Sequence, residues 1–94
     1  MDQWRSLTTD RLVDTLLKLE NQEECYALLS DLCTVKEIKD MAQRLEVALL
    51  LKEGKSYQEI SSDTGVSAAT ISRVSRCLNY GSGGYKMALE KMGD

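Results

Sequence analysis

Apolar residues recur every three to four positions along almost the whole chain. The first such stripes are Leu12, Val13, Leu16, Leu17 and Leu19, followed by Cys25, Leu28, Leu29 and Leu32. This spacing places apolar side chains on one face of an α-helix, and no segment shows the alternation of period two that a half-buried strand needs. The sequence also contains no proline, the residue that most strongly interrupts helices. We therefore predict an all-α fold of about six helices.

Capping signals predict where these helices begin and end. The first helix is expected to begin near Thr8 or Thr9, and Asn21 and Gln22 mark its join to the second. The segment 34–37, Thr-Val-Lys-Glu, is typical of a capping box, and it opens a helix of about 18 residues that should end at Gly54. The glycine-rich segment 80–84 is predicted to be irregular, and a last short helix is expected over 85–92.

The segment 56–79 carries the strongest functional signal. A second capping box, Ser-Tyr-Gln-Glu at 56–59, opens a helix that Gly65 must end, and Ser67 can cap a further helix over 68–79. Gly65 can adopt a positive φ at little cost, as a tight turn between steeply angled helices requires. A short helix, a glycine turn and a second helix together predict a helix-turn-helix motif over about 56–79.

The second helix of this motif has two different faces. Ile71, Val74 and Leu78 share the inner face, whereas the outward face is small, polar and cationic. Small residues let a helix enter the major groove, hydroxyls can meet base edges, and arginines can reach guanine or phosphate. The candidate DNA contacts are Gln58, Ser61, Ser67, Ala68, Ala69, Ser72, Arg73 and Arg76. The alternative is a helical adaptor that docks on another protein through the same face.

The charge distribution permits DNA binding but does not require it. The net charge is −3, whereas nucleic-acid-binding domains are commonly basic. The segment 55–80 nevertheless carries three cations against two acids, and its last 17 residues hold two arginines and no acid.

The sequence lacks histidine, a phosphate-binding glycine loop and a nucleophile elbow, so we expect no enzyme.

Cysteines and hydropathy constrain the cell compartment. Cys25, Cys33 and Cys77 are odd in number and have no C-x-x-C spacing, which favours reduced, at least partly buried thiols and no metal site. The longest apolar run is the five residues 47–51, whereas a membrane-spanning helix needs about 20. The first residues lack the pattern of a signal peptide. We therefore expect a cytoplasmic protein of one domain over 1–94, with no membrane partner.

The sequence resembles the Trp repressor superfamily, and within it the YerC/YecD-like branch of related bacterial proteins, over roughly 28–92. The most specific stretches are 32–37, Leu-Cys-Thr-Val-Lys-Glu, and 69–85, which runs from Ala69 through the glycine-rich segment to Tyr85. The resemblance implies an intertwined homodimer and a transcriptional regulator, with repression as the expected direction. Double-stranded DNA is the implied partner. The broad apolar stripe at 47–51 fits a helix that needs a second partner surface.

The resemblance also implies a possible effector site. Two arginines flank the bound ligand in tryptophan-sensing members, and they match Arg44 and Arg73. Thr34 and Thr70 match hydroxyl-bearing positions near that ligand. Val74 replaces a glycine beside the ligand, and Cys77 replaces a hydroxyl donor, so L-tryptophan is not the effector we expect. Another small co-repressor, or none, remains open, and no other cofactor is implied. The possible effector set is Thr34, Arg44, Thr70, Arg73 and Cys77.

Overall fold

The computed structural model describes residues 3–93, and every regular element within that part of the chain is an α-helix. The first two residues and the last residue of the predicted domain lie outside the described part. The helices are α1 (Leu7–Leu17), α2 (Gln22–Leu32), α3 (Val35–Lys52), α4 (Tyr57–Thr64), α5 (Ala68–Tyr80) and α6 (Gly84–Met92). The predicted all-α class and number of helices are confirmed.

The described residues fall into two compact units that divide between Val35 and Lys36. The first unit contains α1 and α2, and the second contains α3 from Lys36 onward together with α4, α5 and α6. Because the described residues fall into two units, the single domain over 1–94 is still a prediction. No helix within residues 3–93 has the length and apolar character needed to cross a membrane.

In the first unit, α1 begins earlier than the sequence predicted. Ser6, not Thr8 or Thr9, is the N-cap: its Oγ accepts the Thr9 N–H at 3.2 Å, and Thr9 Oγ1 accepts the Ser6 N–H at 2.7 Å. Thr9 therefore occupies the third position of a capping box, where Glu or Gln is the usual residue. Asn21 caps α2 by accepting the Glu24 N–H at 2.9 Å, as the predicted join at this point suggested.

No described residue of the first unit is buried in the isolated chain. Leu7 and Leu17 in α1 are 83% and 79% exposed, and Leu32 in α2 is 56% exposed. Both helices therefore present apolar side chains that their own unit does not cover.

In the second unit, the helix bounds lie within one or two residues of the predicted ones. α3 has 18 residues and ends two residues before Gly54, where φ is +88°. α5 continues one residue beyond the predicted end, so that Tyr80 is helical, and α6 begins one residue early, at Gly84.

The core of the second unit joins four helices. α3 contributes Val47 and Ala48, and the remaining buried apolar residues are Ile60, Val66, Ile71, Val74 and Leu89. Ile60, Ile71, Val47 and Val74 have the largest side chains that are almost completely buried. Because Ile60 and Val66 lie on either side of the turn and Ile71 and Val74 on α5, burial of these side chains holds α4 and α5 in their bent arrangement.

Candidate nucleic-acid interface

The turn between α4 and α5 is built from local hydrogen bonds. The capping box opens α4 as predicted: Ser56 Oγ accepts the Glu59 N–H, and Glu59 Oε1 accepts the Ser56 N–H, each at 3.1 Å. Gly65 ends α4 with φ +75°, and its N–H donates to the Ser61 carbonyl at 2.8 Å. The predicted positive φ at Gly65 is therefore present in the structure.

Thr64 strengthens the same turn through its side chain. Its hydroxyl donates to the Ile60 carbonyl at 2.7 Å and accepts the Val66 N–H at 3.2 Å. Val66 then packs into the core, 5% exposed. Hydrogen bonds therefore hold the backbone both before and after Gly65, at Ile60 and at Val66.

The two faces of α5 are distributed as the helical spacing predicted. Ile71 and Val74 are buried and Leu78 is half-buried. Six of the eight predicted DNA contacts lie at the start of α5 or along its outer side and are exposed: Ser67, Ala68, Ala69, Ser72, Arg73 and Arg76. Gln58, near the start of α4, is also exposed, whereas Ser61 is half-buried.

Ser67 is the N-cap of α5, as predicted. Its Oγ accepts the Thr70 N–H at 3.2 Å, and its hydroxyl donates to Thr70 Oγ1, also at 3.2 Å. The unpaired amides of the first turn of a helix favour an anion such as a phosphate. These amides and the exposed side chains of Arg73 and Arg76, further along α5, give the helix a positive outer side.

The charges of this face are available for a partner. Neither Arg73 nor Arg76 has an ion pair within the described part of the chain. The acid Glu59 is held at the start of α4 by its hydrogen bonds to Ser56, which keep the pKa of its carboxyl below the ordinary value. Glu59 also lies 3.9 Å from the ammonium of Lys55, a solvent-exposed pair.

A polar cleft lies between α3 and α5. It has a volume of about 250 Å³ and is lined by Lys36, Asp40, Gln43, Arg44, Thr70 and Arg73. Lys36 pairs with Asp40 at 2.8 Å, and this hydrogen bond raises the pKa of the Lys36 ammonium. Arg44 and Arg73 have no such acid partner among residues 3–93, so the cleft carries a net positive charge.

The cleft brings together three of the five predicted effector residues: Arg44, Thr70 and Arg73. Cys77 lines a different, mostly apolar cleft of about 460 Å³ near Tyr85. Thr34 belongs to the first unit. Val74, expected beside a ligand, is instead 1% exposed in the core. The five residues therefore do not form one pocket within the second unit.

The cysteine prediction needs one correction. All three cysteines are free, and Cys25 and Cys33 are partly buried as expected, but Cys77 is exposed. The reason is its position at the edge of the buried face of α5, beyond the packed side chains of Ile71 and Val74.

Sequence reasoning missed the α3 side of the cleft, apart from Arg44. Lys36, Asp40 and Gln43 stand at helical spacing with Arg44, so a search for polar residues on one face of α3 would have found them. Gln43 also donates to the Thr64 carbonyl at 3.3 Å, and no local pattern predicts a contact between residues 21 positions apart.

The fold and this site define a Trp-repressor-like class: an all-α protein in which a short helix and a glycine turn are followed by a helix whose polar face is exposed. The family model of the Trp repressor protein matches residues 7–93. The chain belongs to the Trp repressor family, in the branch that includes YerC.

Individual relatives agree with this assignment. The chain is 51% identical over 92 residues to the uncharacterized protein YerC of Bacillus subtilis (strain 168), covering 98% of this chain and 88% of that protein. A crystal structure of a protein from Staphylococcus aureus has a TM-score of 0.93 and 47% identity, with 98% and 92% of the two chains covered. A TrpR like protein from Eubacterium eligens ATCC 27750 has a TM-score of 0.94 and 40% identity, with 99% and 96% covered.

Membership of this family indicates a class of function. The family is one of DNA-binding regulators and not of enzymes, in agreement with the prediction that this chain is not an enzyme. DNA binding and dimerization are general properties of the family.

Proposed function

We propose that this protein is a sequence-specific transcriptional regulator, acting as a repressor, that reads the major groove with α5. The exposed outer face of α5, which combines small residues with Ser72, Arg73 and Arg76, carries this proposal. Small side chains permit close approach, and the unpaired arginines supply phosphate or guanine contacts. The negative net charge is no obstacle, because the positive charge is concentrated where the DNA would lie.

A salt titration tests this function. Fluorescence anisotropy with a random duplex should show affinity falling steeply with salt, because each neutralised phosphate releases counterions. Arg76→Ala should weaken binding and reduce the slope of log affinity against log salt by about one per protomer. Lys91→Ala, which removes the same charge from α6, is the matched control and should leave the slope unchanged. Absence of binding even at low salt would favour the protein-docking adaptor instead.

We further propose that the functional unit is a homodimer. The first unit supports this, since none of its described residues is buried in the isolated chain and its apolar side chains reach 83% exposure. Large exposed apolar areas are uncommon on monomeric proteins and mark interaction surfaces. A second copy is the occupant we infer, because two reading helices facing half-sites one DNA turn apart require twofold symmetry.

Sedimentation velocity tests the dimer. The chain has a mass of 10.5 kDa, and we expect the wild-type protein to sediment at twice that mass. Leu16→Asp, on the apolar side of α1, should shift the population toward the monomer, whereas Thr15→Asp on an adjacent exposed position should not. A wild-type protein that is monomeric at micromolar concentration and still binds DNA at full affinity would overturn the dimer.

For an effector, the polar cleft lined by Arg44, Thr70 and Arg73 is the site we propose. L-tryptophan should leave DNA affinity unchanged, because the Val74 side chain fills the core and the cleft walls are polar and charged. An anisotropy titration of the protein and duplex with L-tryptophan checks this. A tryptophan-dependent gain in affinity would contradict it.

A further inference from the structure

Gln43 in α3 makes a long-range contact with the turn that precedes α5. Its side-chain Nε2 donates to the main-chain carbonyl of Thr64 at 3.3 Å, across 21 positions of sequence. Thr64 is the last residue of α4, and the final carbonyls of a helix have no partner within the helix. Gln43 thus supplies from another helix a partner that α4 cannot provide itself.

The other hydrogen bonds of the turn are internal to it. The Gly65 N–H returns to Ser61, and the Thr64 hydroxyl joins Ile60 to Val66. These bonds fix the shape of the turn, but they do not fix its direction relative to α3. Only a contact that reaches α3 can do so.

Apolar packing supplies one such contact and Gln43 supplies another. Val47 and Ala48 of α3 are completely buried in the core, and further α3 residues, Leu45, Leu49, Leu50 and Leu51, pack against it. Burial of this kind is non-directional, so it holds the α4–α5 pair against α3 without specifying one tilt. Gln43 lies one helical turn before Val47 on the same face of α3, about 6 Å along the axis. Its hydrogen bond to the Thr64 carbonyl there is directional, so it favours one tilt among those that the apolar packing allows.

We propose that Gln43 is a positioning residue that sets the orientation of the reading helix α5 relative to α3. The proposal rests on the DNA-binding function proposed above. It assigns Gln43 no contact with DNA: the side chain acts through the Thr64 carbonyl. The dimer makes orientation important, because an error in the tilt of each α5 displaces both reading helices from their half-sites.

Gln43→Met tests the proposal, since methionine has nearly the same shape but cannot donate a hydrogen bond. The matched control is Gln22→Met, the same chemical change on exposed α2 in the first unit. Amide exchange at Gly65 and Val66, measured by NMR without DNA, reports opening of the turn. The specificity ratio, affinity for a selected duplex divided by affinity for a random duplex, reports the orientation of α5.

In Gln43→Met we expect exchange at Gly65 and Val66 to accelerate, and the specificity ratio to fall, each by about threefold, the size of a modest net hydrogen bond. Thermal stability should fall by no more than the same modest amount, and Gln22→Met should match the wild type in every readout. Rescue is expected from Gln43→Lys, whose ammonium can donate to the same carbonyl: its exchange rates should return to the wild-type values.

Three results would overturn the proposal. One is unchanged exchange in Gln43→Met. Another is faster exchange with an unchanged specificity ratio, and the third is a loss of thermal stability alone, which would make Gln43 merely structural. If the wild-type protein binds no duplex at all, the DNA-binding function fails, and Gln43 as a positioning residue for DNA reading is overturned with it. Binding by the wild type with no difference in Gln43→Met overturns only the role of Gln43.

Discussion

Replacing Gly65 with alanine tests the bend between α4 and α5. At φ +75° the backbone is left-handed, and an added Cβ would meet no atom within 4 Å. The cost is therefore the backbone strain alone, about 1–2 kcal/mol. Alanine recovers part of it, about 0.4–1 kcal/mol, by restricting the unfolded chain. We expect a net loss of about 1 kcal/mol in the free energy of unfolding.

Packing of the core should keep the bend in place in Gly65→Ala. Each buried aliphatic side chain contributes about 1.5–3 kcal/mol, and Ile60, Val66, Ile71 and Val74 hold the bent pair together. Because their sum exceeds the strain, the variant should fold with α5 still facing outward. Its affinity for DNA, per folded molecule, should therefore stay close to that of the wild type.

Thermal melting at fixed protein concentration measures this cost, and a loss of 1 kcal/mol corresponds to a fall of about 4–8 °C for a domain of this size. Gly54→Ala is the matched control, since Gly54 has φ +88° and equally open surroundings. Gly65→Asn should lose less, because asparagine tolerates the left-handed region. A Gly65→Ala variant as stable as the wild type, or far less stable than Gly54→Ala, would refute the reasoning.

Three further predictions concern the core, the reading face and the capping box. Ile71→Ala should cost about 2–5 kcal/mol, because Ile71 is 0% exposed; a loss below 1 kcal/mol in urea unfolding would contradict its core position. Ser72→Ala should change the preferred sequence in a binding selection but hardly alter affinity for random duplex, and an unchanged preference would remove Ser72 from the reading face. The lowered pKa of Glu59 means that its carboxylate stabilises the fold above its ordinary pKa of 4.5 and that this contribution is lost as pH falls through the lowered value. Glu59→Gln should therefore remove that part of the acid sensitivity, and parallel pH–stability curves for both proteins would contradict this.

Local signals predicted the parts of the fold that local chemistry determines. The capping box at 56–59, the left-handed Gly65 and the Ser67 cap each depend on residues within one turn of one another, so their sequence pattern suffices. The start of α1 was misplaced because Thr9 occupies a position where the usual capping box has Glu or Gln. Tyr80 was expected outside α5 because it adjoins the glycine-rich segment. It is helical, and the helix ends only at the first glycine, Gly81, which is its C-cap.

Contacts between distant segments could not be predicted in the same way. The resemblance identified Arg44, Thr70 and Arg73, which the structure gathers into one cleft. It also grouped Cys77 with them, although that side chain lines another cleft. The contact of Gln43 was not predicted because its partner is a main-chain carbonyl, and every residue has one, so the sequence pattern does not identify it.

Selection of bound sequences from a random duplex pool tests most directly whether paired α5 helices read DNA. We expect enrichment of a twofold-symmetric site whose half-sites are centred about 10–10.5 base pairs apart. A pool that remains random after repeated rounds at low salt, or one enriched for a single unpaired half-site, would contradict a dimer with two reading helices.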